Sequence, residues 1–252
     1  MNRNKVAFIT GANKGLGFEI ARQLGQQGVT VVLGARDDAK AKAAADKLKA
    51  EGVDAHGVTL DVTNESDVKA LPAFFESKFG GLDILVNNAG VALDHGGVTR
   101  ETFRQTYETN LIAPYFITQA LLPLLKASPA GRIVNQSSAM GSLTAMSDPN
   151  SFPPEMAVPA YCSSKAALNM LTVTTARTLE GSNVKTNSAH PGWVKTDMGT
   201  ERAPLEVDEG AKTAVALALL PDDGPTGRFF PHGRSAPLVI QRGKRKRQWT
   251  NK

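Results

Sequence analysis

The chain has 252 residues, a formal net charge of +5, 41% hydrophobic residues and a single cysteine, Cys162. The length suits one α/β domain with a full core, the lone cysteine excludes an internal disulfide, and no apolar run approaches the ~20 residues of a membrane-spanning helix. Six basic residues after Gln241 exceed the whole net charge, so the preceding body is close to neutral.

Strand and helix patterns alternate along the chain, which is typical of a parallel sheet covered by helices. Apolar, β-branched runs predict the strands Lys5–Thr10, Thr30–Ala35, Ala55–Leu60, Leu82–Val86, Arg132–Gln136, Val184–Ala189 and one within Gly227–Ile240. The helices are predicted at Phe18–Gln27, Asp37–Glu51, Glu65–Phe79, Thr102–Lys126 (one or two helices, with a bend at Pro114), Ala160–Leu179 and Leu205–Leu220. We therefore predict an α/β, doubly wound Rossmann fold, with a single parallel sheet of about seven strands and helices on both faces.

Neither a repeat nor a linker divides this pattern, so residues 1–240 are expected to form one catalytic domain. The N-terminus leads directly into the first strand, and we expect no signal peptide and a cytoplasmic enzyme. The basic segment 241–252 is expected to be a solvated, disordered tail. Contact of this segment with nucleic acid, an anionic membrane or a nuclear import receptor is the less favoured interpretation.

Glycines follow the first predicted strand at Gly11, Gly15 and Gly17, directly before a helix pattern. Glycines at such a junction permit a tight turn and let a pyrophosphate approach the free N–H groups of the helix start. An ordinary turn is the alternative. The position at the first strand–helix junction favours a dinucleotide site.

A phenol and an ammonium lie four positions apart at Tyr161 and Lys165, on one face of a predicted helix. A tyrosine hydroxyl has an ordinary pKa of about 10. A lysine ammonium ~4 Å away, at an effective dielectric constant of ~20, would favour the phenolate by roughly 4 kcal/mol, or about three pKa units. The pair thus predicts a tyrosine pKa near neutrality, suited to acid–base catalysis, unless the spacing is a coincidence.

Five motifs occur in an order that resembles the short-chain dehydrogenase/reductase family, from Lys5 to about Phe230. Besides the glycine loop and the Tyr–Lys pair, they are Asn87-Asn-Ala-Gly90, Ile133-Val-Asn-Gln-Ser-Ser138 and His190-Pro-Gly-Trp-Val-Lys-Thr196. Within the family, the sequence is most similar to the NADPH-dependent carbonyl reductases. The resemblance implies oxidoreduction between C=O and CH–OH groups.

The resemblance also implies a catalytic set of Asn110, Ser138, Tyr161 and Lys165. Tyr161 would exchange a proton with the substrate oxygen, Lys165 would lower the pKa of the phenol and hold the nicotinamide ribose, and Ser138 would bind the substrate oxygen. Asn110 would hold a water that links the lysine to solvent. Ser137 competes for the serine role, but neighbouring strand residues point to opposite faces and the family pattern selects Ser138.

The second strand is followed by Arg36, where an acidic residue would favour NAD(H), and we therefore predict NADP(H). Lys14 adds a second positive charge for a 2′-phosphate, whereas Asp37 and Asp38 complicate the prediction unless they cap the next helix. Asp61 would contact the adenine by resemblance, with a turn role as the alternative. The predicted cofactor contacts are Gly11, Asn13, Lys14, Gly15, Leu16, Gly17, Arg36, Asp61, Val62, Asn88, Ala89, Gly90, Tyr161, Lys165, Pro191, Gly192, Val194 and Thr196.

The segment between Ser138 and Tyr161 is longer than is usual in the family, and its extra residues lie at about 143–159. Its prolines predict irregular structure. A similar but larger insertion in carbonyl reductases blocks helix packing between subunits, which favours a monomer over a homo-oligomer here. Together with Met140, Trp193 and Met198, the inserted Leu143 could form an apolar wall for a bulky carbonyl substrate.

The function that we predict is NADPH-dependent reduction of a ketone, aldehyde or quinone to an alcohol. Two alternatives stay open: an NADP-dependent alcohol dehydrogenase working oxidatively, and a regulator that senses NADP(H) without turnover. The partner is expected to be a small-molecule carbonyl compound, with neither a membrane nor nucleic acid favoured. The histidines lack metal-ligand spacing, so no metal is predicted.

Overall fold

Seven parallel strands form one sheet in the computed structural model, which describes residues 4–233. The strand order is β3-β2-β1-β4-β5-β6-β7, and every neighbouring pair is parallel. The strands are β1 Val6–Ile9, β2 Thr30–Ala35, β3 Ala55–Thr59, β4 Ile84–Asn87, β5 Arg132–Gln136, β6 Lys185–Ala189 and β7 Phe229–Phe230. The predicted doubly wound parallel sheet is thereby confirmed.

Helices connect the strands and cover both faces of the sheet. They are α1 Gly15–Gln26, α2 Asp38–Ala50, α3 Glu65–Phe79, α4 Arg100–Tyr107, α5 Ala113–Ala127, α6 Leu143–Ser147, α7 Pro159–Thr178 and α8 Val207–Ala218. The apolar sides of α1, α2 and α8 pack on one face of the sheet. The apolar sides of α3 and α5 pack on the other face, and α7 joins them through Thr172, whose hydroxyl accepts from the Asn135 side chain of β5.

The strand order reverses direction between β1 and β4, because the chain crosses from β3 at one edge to β4 on the far side of β1. In doubly wound sheets, ligands bind at the carboxyl ends of the strands beside this reversal point. The glycine loop after β1 and the loops after β4, β5 and β6 all lie at these carboxyl ends. The predicted motifs therefore share one end of the sheet.

Local sequence signals determine most element ends. The predicted ends of β2, α3 and β5 agree with the structure, and Asp37 and Glu51 flank α2 as its caps. Pro114 does not bend a long helix, because it lies in the first turn of α5, where proline is tolerated. The break before α5 is instead a π-helical segment, Glu108–Ile112.

The insertion contains more regular structure than its prolines predicted. The short helix α6 begins after Ser142, whose hydroxyl accepts a hydrogen bond from the Ala145 N–H, and a 3-10 turn covers Pro154–Met156. The expectation of irregular structure was therefore wrong for these two stretches. The proposed basic tail, 241–252, lies outside the described residues.

Among the helices within residues 4–233, none is both long enough and apolar enough to cross a bilayer. In the same range, we find no cluster of three or more histidine, cysteine or acidic side chains arranged to hold a metal ion.

Candidate active site

The four predicted catalytic residues lie on three elements that meet at the carboxyl edge of the sheet. Ser138 follows β5, Tyr161 and Lys165 lie on α7, and Asn110 lies in the π-helical segment. A Cβ atom placed on Gly90, in the loop after β4, would be 3.3 Å from Asn110 Oδ1 and 3.5 Å from Lys165 Nζ. The structure thus brings the lysine and the asparagine together around a residue of the predicted cofactor loop.

Lys165 is buried, and its ammonium points toward β5. Its Nζ donates a hydrogen bond of 2.8 Å to the backbone oxygen of Gln136 and lies 5.6 Å from the centroid of the Tyr161 ring. Burial disfavours the charged form and lowers the pKa of Lys165 to about 8. The lysine therefore changes its charge close to neutral pH.

The tyrosine differs from the sequence-based expectation. Burial raises the pKa of Tyr161 to about 12, and a hydrogen bond with the Ser138 side chain only partly opposes this effect. The predicted pKa of Tyr161 near neutrality was wrong. It assumed an ammonium ~4 Å from the phenol and did not include burial of the phenol. In the structure the ammonium binds a backbone carbonyl, and desolvation of the phenolate dominates. The phenol is protonated throughout the neutral range.

The two candidate serines have different surroundings. The Ser138 hydroxyl lies close enough to Tyr161 to oppose the rise in the pKa of its phenol, and Ser138 Oγ accepts from the Met140 N–H at 3.2 Å. Ser137 Oγ is buried and has no hydrogen-bond partner among the described residues. The contact with the phenol favours Ser138 for the role next to Tyr161.

Asn110 is fully buried and fixes the loop after β4. Its Oδ1 accepts from the Val91 N–H, and its Nδ2 donates to the Val91 oxygen, both at 2.8 Å. Nδ2 also donates to Ser164 Oγ on α7. Single-turn π segments such as this one often occur at functional sites. Because its side chain is engaged in these bonds, a bound water would have to meet its backbone.

The glycine loop packs so closely against the loop after β4 that side chains on Gly11 and Gly17 would clash with it. Gly11 and Gly15 have φ values of +62° and +57°, which favour glycine. A Cβ on Gly17 would be 2.4 Å from Asn88 Nδ2, and one on Gly15 would be 3.6 Å from Thr196 Cγ2. No side chain caps the start of α1 at Lys14. Free N–H groups at a helix start, reached through glycines, suit a pyrophosphate.

Thr10 and Asn88 tie the glycine loop to the loop after β4. Thr10 Oγ1 accepts from the backbone N–H groups of Asn88 and Ala89, each at 3.0 Å. Asn88 Nδ2 donates to the oxygens of Thr10 and Gly11 at 2.9 and 3.2 Å. The side-chain amide of Asn88 therefore holds the glycine loop, and any contact of Asn88 with a cofactor would be made by other atoms of the residue.

The two basic residues proposed to select the cofactor differ in their ion pairing. Arg36 is exposed at the end of β2, and no side chain among residues 4–233 pairs with it. The two following acids are engaged elsewhere: Asp37 caps α2 through the Lys40 N–H, and Asp38 accepts from Thr59 Oγ1. Lys14 forms an exposed ion pair with Asp197, so its charge is shared with the loop after β6.

Among the remaining predicted contacts, Asp61 stabilises a turn. The loop after β6 packs against the glycine loop. Asp61 Oδ1 accepts from the N–H and the hydroxyl of Thr63, which is the turn role that we left open. Within the stretch Pro191–Thr196, Val194 is buried, and Gly192 has a φ of +83°. Asn13, Leu16 and Val62 are half-buried beside these segments.

Asp94 is a site residue that the sequence analysis missed. It is buried in the loop after β4, and its Oδ2 accepts from the backbone N–H groups of Ala160 and Tyr161 at 2.7 and 3.3 Å. No spacing pattern links an aspartate to a helix start 66 residues later. Only a signal of spatial proximity could have identified it.

With this geometry described, comparison with known proteins decides the family. The sequence profile of the family described as "short chain dehydrogenase" matches residues 5–206. The chain belongs to the short-chain dehydrogenase/reductase family. It is therefore an oxidoreductase acting on CH–OH or C=O groups.

Relatives of this short-chain dehydrogenase/reductase are similar over nearly their whole length. (-)-Isopiperitenone reductase of Mentha piperita is 34% identical, over 93% of this chain and 98% of the relative. Carbonyl reductase (NADPH) 1 of Bos taurus is 36% identical, over 92% and 97%. The crystal structure of NADPH-bound carbonyl reductase from chicken fatty liver has a TM-score of 0.80 at 30% identity, covering 91% of this chain and 97% of that one.

The open side of the short-chain dehydrogenase/reductase site carries exposed apolar side chains. Leu143 on α6 is 78% exposed, and Trp193 and Met198 in the loop after β6 are 46% and 43% exposed. The indole Nε1 of Trp193 donates to the Gly199 oxygen at 2.6 Å, which fixes the ring. Met140, two residues after Ser138, is half-buried. These residues follow the neighbouring strands β5 and β6, where the predicted apolar wall would form.

His190, at the end of β6, is not suited to proton transfer in the neutral range. Its ring stacks on Phe229, and burial together with the nearby His232 lowers the pKa of His190 to about 4. The imidazole is therefore neutral at physiological pH. This result agrees with the structural rather than acidic role that its position suggests.

Proposed function

We propose that this protein reduces ketones, aldehydes or quinones to alcohols with NADPH. The observation that carries the proposal is that Ser138 lies next to Tyr161, and that Lys165, one turn along α7, lies beside Gly90 in the loop after β4. Two relatives whose names include NADPH support the choice of cofactor. The proposal extends the family assignment from oxidoreduction in general to a direction, a cofactor and a proton donor.

Proton transfer is assigned to Tyr161. The cofactor, when bound, supplies the hydride, and the protein orients the substrate and manages the proton. Ser138 would donate a hydrogen bond to the substrate oxygen, and the Tyr161 hydroxyl would deliver the proton to the same atom. A phenol with a pKa of about 12 is protonated at neutral pH, as a donor must be.

The choice of cofactor favours reduction over oxidation. The oxidative alternative is less well supported, because cells keep NADPH reduced. The non-catalytic alternative is disfavoured because Asn110, Ser138, Tyr161 and Lys165 are all present and lie at the same end of the sheet.

Lys165 and Asn110 are proposed to replace the proton that Tyr161 gives away. Lys165 is buried one helical turn from the tyrosine, and its lowered pKa of about 8 allows it to release a proton near neutrality. Asn110 holds the backbone beside the lysine, and its own backbone is the proposed site for a water leading to solvent.

The cofactor is proposed to lie along the glycine loop, with its pyrophosphate at the start of α1. Arg36 is the group proposed for a 2′-phosphate, because its guanidinium is exposed and not engaged by the neighbouring acids. Lys14 would contribute only if its ion pair with Asp197 opens. Gly11 and Gly17 lack side chains, which lets the loop after β4 pack closely against the glycine loop and leaves the backbone at the start of α1 accessible to such a ligand.

The substrate is proposed to be bulky and apolar next to its carbonyl group. The apolar side chains of Leu143, Trp193 and Met198 remain exposed within the described part of the chain. Burying such surface against a ligand contributes about 25 cal/mol for each Å² removed from water. A small polar carbonyl compound would leave this contribution unused.

The direct test is NADPH oxidation with a panel of ketones, aldehydes and quinones, using the wild type, Tyr161→Phe and Tyr115→Phe. Tyr115 is exposed on α5, so its variant loses a phenol hydroxyl away from the site. We expect turnover in the wild type and Tyr115→Phe, and a loss of about 10²–10⁴-fold in Tyr161→Phe. Equal turnover in all three proteins would contradict the assignment.

We also propose that residues 1–240 form one catalytic domain and that this domain works in the cytoplasm.

We further propose that the protein is a monomer. Sedimentation at several protein concentrations tests this proposal. The exposed apolar side chains of α5, α7 and the π segment are where a second copy would pack if this prediction is wrong: Ile112, Tyr115, Phe116, Met170 and Val173. Removal of the residues after Arg242 is expected to leave NADPH turnover unchanged.

A further inference from the structure

The start of the catalytic helix α7 is capped by a side chain from a distant loop. Val158, at the N-cap position, offers no side-chain hydrogen bond, and Pro159 has no N–H to satisfy. The first free N–H groups belong to Ala160 and Tyr161, and both donate to Asp94 Oδ2. The helix that carries the phenol is therefore anchored to the loop after β4.

Capping the helix in this way requires burial of a carboxylate, which is energetically unfavourable. Asp94 is only 4% exposed, and its Oδ1 has no hydrogen-bond partner among residues 4–233. The positive end of the helix dipole partly offsets the desolvation of the carboxylate. A serine, threonine or aspartate at position 158 would cap α7 without burying a distant charge. The remote arrangement indicates that the position of α7 relative to the loop matters.

The other end of the same loop is attached to the predicted cofactor site. Asn88 and Ala89 are bound through their N–H groups to Thr10 Oγ1 beside the glycine loop. Val91 is held on both sides of its peptide by Asn110. With Asp94 bound to α7, the loop is fixed to the glycine loop, the π-helical segment and the catalytic helix within seven residues.

We propose that Asp94 is a positioning residue for proton transfer. It fixes the first turn of α7 so that the Tyr161 hydroxyl, on that turn, meets Ser138 and the substrate oxygen. The Asp94 carboxylate accepts from backbone N–H groups of α7 and acts through Tyr161. The inference rests on the proposed function, because it assigns Asp94 to the reduction that Tyr161 is proposed to support. A displacement of ~1 Å in such a site can lower the rate by ~10²-fold.

The test compares Asp94→Ala and Asp94→Asn with a matched cap variant, Asn64→Ala. Asn64 Oδ1 accepts from the Ser66 and Asp67 N–H groups at the start of α3, a helix that holds none of the catalytic residues. For each protein we would measure kcat and KM for carbonyl reduction, the NADPH dissociation constant, the melting temperature, and hydrogen exchange of the N–H groups in the first turn of α7.

We expect Asp94→Ala to lower kcat by about 10–100-fold, with NADPH affinity within about twofold of the wild type. Asp94→Asn keeps an acceptor oxygen and should recover most of kcat. Asn64→Ala should lower the melting temperature and leave kcat unchanged. Exchange in the first turn of α7 should accelerate in Asp94→Ala and not in Asn64→Ala.

The proposal is overturned if Asp94→Ala loses melting temperature as Asn64→Ala does but keeps its kcat. If Asp94→Ala does not fold, Asp94→Glu takes its place. This variant keeps the charge and the acceptor oxygens but moves them by one methylene. An unchanged kcat in Asp94→Glu would equally overturn the proposal. Absence of turnover in the wild type would refute the proposed function instead. In that case unchanged hydrogen exchange in the first turn of α7 would refute the anchoring role as well.

Discussion

The two sides of the active site are built differently. On the cofactor side, hydrogen bonds join segments far apart in sequence, such as Thr10 with Asn88 and Ala89, and glycines let these segments pack closely. On the substrate side, side-chain hydrogen bonds of the insertion join near neighbours, as Asp148 with Asn150, and apolar side chains such as Leu143 are exposed.

The difference indicates which side fixes the chemistry and which side sets the choice of substrate. Long-range hydrogen bonds hold backbone atoms in place before any ligand binds, which favours precise placement of a hydride donor. Exposed apolar side chains on a short helix can change without disturbing the core, so substrate preference can change while the chemistry is kept. Tyr161 and Ser138 lie where the two sides meet.

After the loss expected for Tyr161→Phe, the largest effect concerns the two adjacent serines at that meeting point. Ser138→Ala should lower kcat by about 10²–10³-fold, because the substrate oxygen loses a hydrogen-bond donor that also contacts Tyr161. Ser137→Ala should leave kcat within about threefold, since Ser137 Oγ is not bonded to the phenol. Steady-state kinetics of both variants decides the question, and an equal loss in the two would remove the distinction.

The next effect tests the cofactor side alone. Arg36→Asp should raise the KM for NADPH by about 10–100-fold, because a charge-assisted hydrogen bond to a phosphate contributes about 1.5–3 kcal/mol. The KM for NADH, which lacks the 2′-phosphate, should change far less. Parallel kinetics with both cofactors checks this, and equal changes would contradict the assignment of NADP(H).

A pH profile tests the proton supply behind Tyr161. The pKa of Lys165 is lowered to about 8, so its ammonium is present below that pH and lost above it, whereas Tyr161 stays protonated until about pH 12. The reductive kcat should therefore be level below pH 8 and fall by about tenfold per pH unit above it. A profile that stays level up to pH 10 would mean that the lysine charge is not required.

The smallest effect sharpens the substrate side. Leu143→Ala should raise the KM for bulky apolar ketones by about 3–10-fold through lost apolar contact, and leave the NADPH dissociation constant and the kinetics with small aldehydes unchanged. Thr144→Ala, on the same short helix and also exposed, is the matched control. Equal changes for large and small substrates would place Leu143 outside the binding surface.

The sequence predicted the parts of the fold that depend on local patterns. The apolar run Thr30–Ala35 and the helix signals around Glu65–Phe79 agreed with the structure at both ends, because buried strands and capped helices are set by nearby residues. The glycine loop and the Tyr161–Lys165 spacing indicated the site for the same reason.

What the sequence did not predict depends on burial and on contacts between distant segments. The pKa of Tyr161 rises because the phenol is desolvated, and spacing carries no information on desolvation. Asp94 reaches the start of α7 from a loop 66 residues earlier. The Asn88 side chain donates to the backbone oxygens of Thr10 and Gly11, a contact that no local sequence pattern indicates.

The most direct test of the central claim separates cofactor binding from proton transfer at Tyr161. We would measure the NADPH dissociation constant by fluorescence and the hydride-transfer rate in a single turnover, for the wild type and Tyr161→Phe. The account predicts affinities within about twofold and a hydride-transfer rate at least ~10²-fold lower in the variant. An unchanged hydride-transfer rate in Tyr161→Phe would contradict the claim that this phenol supplies the proton.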